Sequence, residues 1–573
     1  MRESYPSAKD GPAQPELPSF AAAGTPARAF AGFCLRHSRP LTILVALLLV
    51  FLRRPDSLLT PQFFWEDGVV FFKDCLLDGL SLGNTYAGYI HLLPRLAAKV
   101  FMAFPYAWQP LLYNLTSYGC TAFVLACIMS PRLELPVKPL LALAVVLVPH
   151  DSVVYANLTH VQFLLSLLLP VLTLYKTPQN WGESLFDIAT LLLVGLTGPF
   201  TIFFFPFIGY RLIAGGVNRH NLLFLAAFCI PLAIQGFYLG RLALFYAESL
   251  GPHRDPSVWF DALARGASGA FLLFKKSKIA GIVLSLLFYL FIAYAALSLP
   301  GTKQRRGILI CLGYGVLIIV AGYYKYRDEP ISMLRMHERY LFAIRVFFFW
   351  TLALAAAKHR PPLKQIAVFC LVLFAGLGLY HSVFAHPRTL RDNNWRYHST
   401  KIDTGLPAFL PIAPDNMGGI ILPQRQSGSA TVSFATLPGE GWKIQACWRP
   451  DAVLPRSPDP TRGYFFGTRA GGCTGAMQSK PFRVDRPMLL EIPFIRGPNH
   501  PEDLRLGVRS LTDQNRVLLC DLKSPGAQFW FYCALDLTPL LGHDVLVFAE
   551  DNNPALECWL GFGQPWLYTS GQH

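Results

Sequence analysis

The sequence predicts a multi-pass α-helical membrane protein, with about 11 transmembrane helices, followed by an all-β soluble domain of the sandwich or jelly-roll kind. Three observations carry that prediction. The 573 residues are 53% hydrophobic and only 15% charged, a balance that a soluble core of this size does not require. Apolar runs recur from about Leu41 to Phe384, and the longer ones reach the ~17–25 residues that cross a bilayer as a helix. After about His386 those runs stop, and short alternating segments divided by Pro, Gly and Asn take over, which is strand-and-turn patterning.

Residues 1–40 are rich in Ala, Pro and Ser and read as a disordered cytoplasmic tail. The apolar run starts late and no small-residue cleavage site follows Arg53 and Arg54, so a retained helix is expected over 41–59 rather than a cleaved signal. Further apolar segments cover 110–130, 139–149, 161–175, 184–197, 200–213, 222–246, 279–299, 308–323, 340–357 and 366–384. The segments at 139–149 and 184–197 are short for a full crossing, and Pro149 and Gly198-Pro199 mark places for re-entrant bends buried among other helices. Membrane residues 41–385 thus precede a β-rich region over 386–573. Five short loops carry Arg132/Lys138, Lys176, Arg211/Arg219, Lys303/Arg305/Arg306 and Lys358/Arg360/Lys364. Basic short loops favour the cytoplasm, which places the N-terminus inside and the C-terminal domain in the periplasm or outside the cell. The formal charge of +15 suits anionic lipid or phosphate neighbours. Nucleic acid is not expected as a partner, since no basic recognition helix or aromatic RNA-binding motif is present.

The first outward loop, 60–109, holds the most informative stretch. Glu66 and Asp67 lie side by side between Trp65 and Gly68. Asp is a common helix N-cap, but a carboxylate in a partly desolvated site also takes the proton from an attacking hydroxyl. Asp67 is the expected general base, with Glu66 orienting it or the acceptor. Downstream, His91, Arg95 and Lys99 recur at helical spacing, so a basic face lying in the headgroup layer is expected. Lys325, Arg327 and Arg339 fall in an outward loop, where the orientation rule gives cations no reason to gather; bidentate Arg and Lys hold phosphate, although Asp328, Glu329 and Glu338 are competing partners. The polar bend between His150 and Gln162 interrupts two apolar runs, and polar groups at such depth line cavities. There His160, Asn157 and Gln162, together with Tyr89 of the first loop, are candidates for sugar contacts or for structural bonds.

No metal centre is expected: the histidines and cysteines lack ligand spacing, so a divalent ion has no support and no cofactor is predicted. Cys520 and Cys533 flank a Ser-Pro-Gly turn, consistent either with a cross-strand disulfide in an oxidising compartment or with two buried thiols.

The stretch FFWEDGVVFF, continued by TYAGYIHLLPRL, resembles members of the GT-C superfamily, membrane glycosyltransferases that use polyprenyl-phosphate-linked sugars. The resemblance covers the membrane part. It implies that the family's first-loop catalytic Asp falls on Asp67 or Glu66. It further implies that donor phosphate is held by outward-facing side chains such as His91, Arg95, Lys325, Arg327 and Arg339. The expected partners are then membrane lipid, a polyprenyl-phosphate sugar, and a glycan or lipid acceptor. The stretch TGAMQSKPFRVDRPMLLEIPF is similar to galactose-binding-type jelly rolls. Two other classes remain open: a transporter or flippase for a lipid-linked saccharide, and a non-catalytic membrane anchor presenting a glycan-binding domain.

Overall fold

A computed structural model describes residues 37–79, 82–150, 153–247, 278–325, 338–380, 384 and 395–403, and then 408–412, 419–422, 432–436, 442–444, 448–450, 465–468, 474–497, 500–522, 530–555, 558–563 and 565–570. Residues 1–36 of the N-terminal tail, Asp151, Ser152, Arg327, Cys447 and Cys473 lie outside the described residues, as does the side chain of Lys325, whereas residues 38–40, expected in the disordered tail, already belong to the first helix.

Every apolar run forms helix, but fewer than expected are long enough to span. Among the described residues, five helices have the length and composition of a crossing: Tyr106–Ile128, Arg219–Arg241, Thr302–Tyr324, Glu338–Lys358 and Leu363–Tyr380. A sixth follows if Trp181–Thr197 and Phe200–Phe207 make one broken span, bent by 115°. Thr197-Gly198-Pro199 sits at the break, where Pro has no N–H to continue the ladder. The expected count of about 11 is therefore not reached among the described residues. The difference is one of length: Lys138–Leu147 and Val161–Thr173 are 10 to 17 residues long, and at about 1.5 Å per residue they stop short of a hydrocarbon core of about 30 Å. The run expected over 41–59 also divides. Its helix ends at Arg53, Pro55 follows, and a short helix runs Asp56–Leu59. Arg54 leaves the helix to bind Asp56 through two hydrogen bonds of 3.2 and 3.0 Å, and both side chains are buried. A fork-to-carboxylate pair of this kind satisfies charges that lipid or packed core would otherwise penalise.

Among its described residues, the C-terminal region has two larger antiparallel sheets around one core, preceded by a two-stranded hairpin. In the first, Leu504–Ser510 lies between Val517–Leu519 and Asp544–Asp551. In the second, Met488–Arg496 pairs with Trp530–Asp536, Leu560–Gly563 and Trp566–Ser570. Leu504, Leu506 and Val508 of one sheet meet Leu490, Ile492 and Phe494 of the other, the period-2 burial of facing sheets. A disulfide joins Cys520 and Cys533, with Cα atoms 5.5 Å apart. It is not the cross-strand link of one hairpin. Cys520 follows Val517–Leu519 of the first sheet, whereas Cys533 lies in a strand of the second, so the bridge ties sheet to sheet.

The change in composition at about His386 precedes the change in packing. Trp395, Ile402, Leu410 and Ile412 belong to the core formed by the membrane helices, not to the core between the sheets.

Candidate functional site

The acidic pair opens an unusual element. Asp67–Phe72 is π-helical and continues directly into the α-helix Lys73–Asp78. Single π turns are uncommon and recur at functional sites. Trp65, immediately before the pair, has φ of 45°, Ala87 has 53° and Ala156 has 56°. Left-handed backbone in residues with a Cβ costs of order 1–3 kcal/mol each. These three residues lie in the first loop and in the segment that receives it.

Asp67 is fully buried, at 0% exposure. Its two carboxylate oxygens accept hydrogen bonds from the hydroxyl of Thr159, at 2.7 Å, and from the N–H of Leu158, at 2.9 Å. Burial pushes its carboxyl up to about 7, with a smaller push from the neighbouring Glu66 charge, against the downward pull of the two hydrogen bonds. The tether therefore joins the first loop to the turn before Val161, a contact between segments remote in sequence.

Glu66 keeps 8% exposure, and its Oε1 accepts from the hydroxyl of Tyr86 at 3.2 Å. Around it the structure gathers residues from four segments. Tyr89, on the strand after Tyr86, accepts from the Gln162 side-chain amide at 3.2 Å and stacks on His91 at 4.4 Å. Burial raises the Tyr89 phenol, Tyr340 and Glu66 raise it further, and the Gln162 bond and the Arg339 charge oppose them. Tyr340 packs edge-on against Phe163 at 5.1 Å, and the Arg339 guanidinium lies 5.6 Å from the Tyr340 ring. Glu338 pairs with Arg345 at 3.1 Å. Two cavities of about 240 and 530 Å³ are lined by Lys176, Arg211 and Lys303 and by Arg39, Arg132 and Glu183 respectively. Neither lining includes a member of this cluster.

The structure therefore brings together Glu66, Asp67, Tyr89, Gln162 and Arg339, and it corrects two of the other expectations. Arg95 does not sit on an open basic face. It is 3% exposed, pairs with Asp74 at 3.4 Å and lies 5.6 Å from the Phe71 ring, because the preceding helix turns its acid toward it. His91 is likewise buried, stacked on Tyr89 and tilted against Phe71, which leaves Lys99 as the exposed cation of that helix. Asn157 makes local structural bonds: its amide donates to the carbonyls of Val153 and Tyr155, and its Oδ1 accepts from the His160 N–H. His160 is buried with its ring 5.8 Å from Phe64. Tyr86, Thr159 as the partner of Asp67, and Phe163 were not singled out by the sequence. A polar pair such as Tyr86 and Tyr89, spaced by three across an Ala-Gly turn, was the available signal for the first.

Together these features define a polytopic helical membrane protein with a buried acidic pair in its first loop and a β-rich C-terminal region. No family model matches the chain, and no curated protein sequence matches it. Among solved structures it is similar to the arabinosyltransferase EmbB from Mycobacterium smegmatis, determined by single-particle cryo-EM, at 12% identity and a TM-score of 0.25, over 92% of this chain and 64% of that one. It thus spans less than two thirds of that protein's length. It is also similar to the xylan-binding module CBM15, at 10% identity and a TM-score of 0.17, over 25% of this chain and 100% of that one. Similarity at these TM-scores assigns neither a fold nor an activity.

Proposed function

We propose that the chain is a membrane glycosyltransferase of the GT-C type, moving a sugar from a polyprenyl-phosphate donor to a glycan or lipid acceptor on the outer face of the membrane. The observation that supports this best is the convergence of the first loop and the polar bend: Glu66 accepts from Tyr86, the strand of Tyr86 pairs with that of Tyr89, and Tyr89 accepts from Gln162. A carboxylate that can accept a hydroxyl proton thus shares one cluster with polar side chains suited to a sugar. In the reaction, the acceptor hydroxyl loses its proton to Glu66 while its oxygen bonds to the anomeric carbon. The bond from that carbon to the phosphate oxygen breaks, and the electron pair leaves with the polyprenyl phosphate, stabilised by Arg339.

Exposure and hydrogen bonding favour Glu66 over Asp67 as the base. Both oxygens of Asp67 are engaged by the protein and none of its surface is open. Asp67 instead anchors the turn, and with its carboxyl raised to about 7 the proton it keeps below that pH removes a like charge from beside Glu66. Gln162 and Tyr89 are placed to meet the sugar. The N-terminus is cytoplasmic in this reading, and the β-rich region, with its suggested jelly-roll winding, faces glycan on the outer side.

The test is transfer in membranes supplied with polyprenyl-phosphate pentoses and hexoses. Glu66→Gln should remain inserted and folded but lose about 10²–10⁴ in rate, the usual share of general-base assistance. Arg339→Ala should chiefly raise the KM for donor. Equal transfer by wild type and Glu66→Gln would remove the base from the reaction. The 115° break between Trp181–Thr197 and Phe200–Phe207 favours a second reading, since discontinuous helices line transporter sites. A flippase would move the lipid-linked saccharide undiminished with Gln at position 66.

A further inference from the structure

The run after the last apolar segment, RDNNWRYHS, is polar except for one tryptophan. That residue opens the helix Trp395–Asp403, and its ring is buried among membrane-domain residues. It sits edge-on to Phe63 at 4.8 Å and to Phe72 at 5.7 Å, and its Nε1 donates to the Tyr106 carbonyl at 2.8 Å. Phe63 precedes the acidic pair by three positions, and Phe72 ends the π-helix that Asp67 begins. The chain then forms the hairpin Ala408–Pro411 with Gly419–Leu422, and Ile412, just past its first strand, rests on Gly68. A Cβ added at Gly68 would lie 2.6 Å from Ile412 Cδ1 and 3.0 Å from the Phe63 Cβ.

From this packing we infer that Trp395 and Ile412 are positioning residues for the acidic pair: they wedge the π-helix from the C-terminal side and fix the direction in which Glu66 leaves the backbone. The inference rests on the reading of Glu66 as the acceptor-activating base. Its physical basis is independent of that reading. A π turn is poorly favoured alone and persists where its surroundings over-determine it. Asp67 ties one side of the turn to Leu158 and Thr159. Further support comes from Trp395, a large rigid ring with one polar anchor, and from Ile412, which packs where a side chain on residue 68 would lie. Close packing makes such a contact sensitive to a single methyl group in either direction.

The test is a size-compensation series in the full-length protein in membranes: Gly68→Ala, Ile412→Ala, the two combined, and Trp395→Phe, which keeps a ring but removes the Nε1 donor. Two quantities are read, namely kcat and KM for transfer from a polyprenyl-phosphate sugar, and hydrogen–deuterium exchange over residues 61–79. Gly68→Ala should lower kcat about 10²-fold, the cost of an ångström-scale misplacement, with donor KM unchanged and exchange over 61–79 faster. Adding Ile412→Ala should restore about tenfold or more of kcat and slow the exchange again, a reciprocity that two unrelated lesions do not show. Losses in kcat that simply multiply in the double variant would overturn the inference, as would exchange over 61–79 unchanged by Gly68→Ala. If Gly68→Ala does not accumulate, Trp395→Phe decides: faster exchange over 61–79 supports the wedge and unchanged exchange refutes it. Equal transfer by wild type and Glu66→Gln would instead fail the base assignment, and the exchange measurements would still judge the wedge.

Discussion

Replacing Asp67 with Asn should change how stability depends on pH. Burial holds the Asp67 carboxyl at about 7 in the folded protein, against an ordinary value of 3.8. Between those two values the native state keeps a proton that the unfolded chain has released. A raised carboxyl therefore contributes least penalty below about pH 4, loses stability as pH climbs toward 7, and stays at its full penalty above that. The span of roughly three pH units corresponds to at most about 4 kcal/mol. Asn at this position does not ionise, so that loss is absent from the variant. Its amide can accept from only one of the two donors, Thr159 and Leu158, and leaving a buried donor facing an NH₂ group costs about 1–3 kcal/mol. Asp67→Asn should thus be less stable than wild type near pH 4, draw level at about pH 5–6, and be the more stable of the two by about pH 8. Thermal unfolding of detergent-solubilised protein, followed by tryptophan fluorescence across that range, measures the gap directly. A gap that stays constant with pH would mean that Asp67 titrates as an ordinary surface carboxyl, and the desolvation argument for its role as an anchor would fall.

Three further outcomes are expected. Arg95→Ala should cost about 1–3 kcal/mol of stability, because it strands Asp74 and empties a buried site, while the KM for a polyprenyl-phosphate donor stays unchanged; a raised KM with stability intact would return Arg95 to phosphate binding. In protein unfolded without reductant, Cys520 and Cys533 should resist alkylation, and reducing them should remove on the order of 3 kcal/mol from the β-rich region; ready labelling of both thiols would show that the bridge between the sheets is absent. A periplasmic reporter fused after Phe384 should be active, whereas activity of a cytoplasmic reporter there would reverse the orientation drawn from the basic loops.

What was legible in the sequence follows from the range over which each signal acts. Hydrophobic runs are local, and each one became helix; the acidic pair and the strand region were equally visible because composition and period are local properties. Helical spacing likewise placed His91, Arg95 and Lys99 together, but spacing specifies a face and not what covers it. Asp74 covers Arg95, and Tyr89 and Phe71 cover His91, so a stripe that reads as basic and exposed is mostly interior. Asn157 is the opposite case. Its bonds to Val153, Tyr155 and His160 are local, yet they depend on the left-handed backbone at Ala156, which no propensity scale assigns to alanine. The least visible feature is the wedge. Gly68 beside two carboxylates reads as turn chemistry, and Ile412 reads as one apolar residue among prolines. Only their apposition across most of the chain explains why a methyl group at position 68 would crowd Ile412 and Phe63, and why a hairpin that precedes the sheets packs with the membrane helices. If Glu66 is the base, its aim depends on contacts made by residues that the break in composition at His386 would assign to a separate domain. Removing the chain after Phe384 should therefore abolish transfer even when the truncated membrane part inserts, because the π-helix loses Trp395 and Ile412 together.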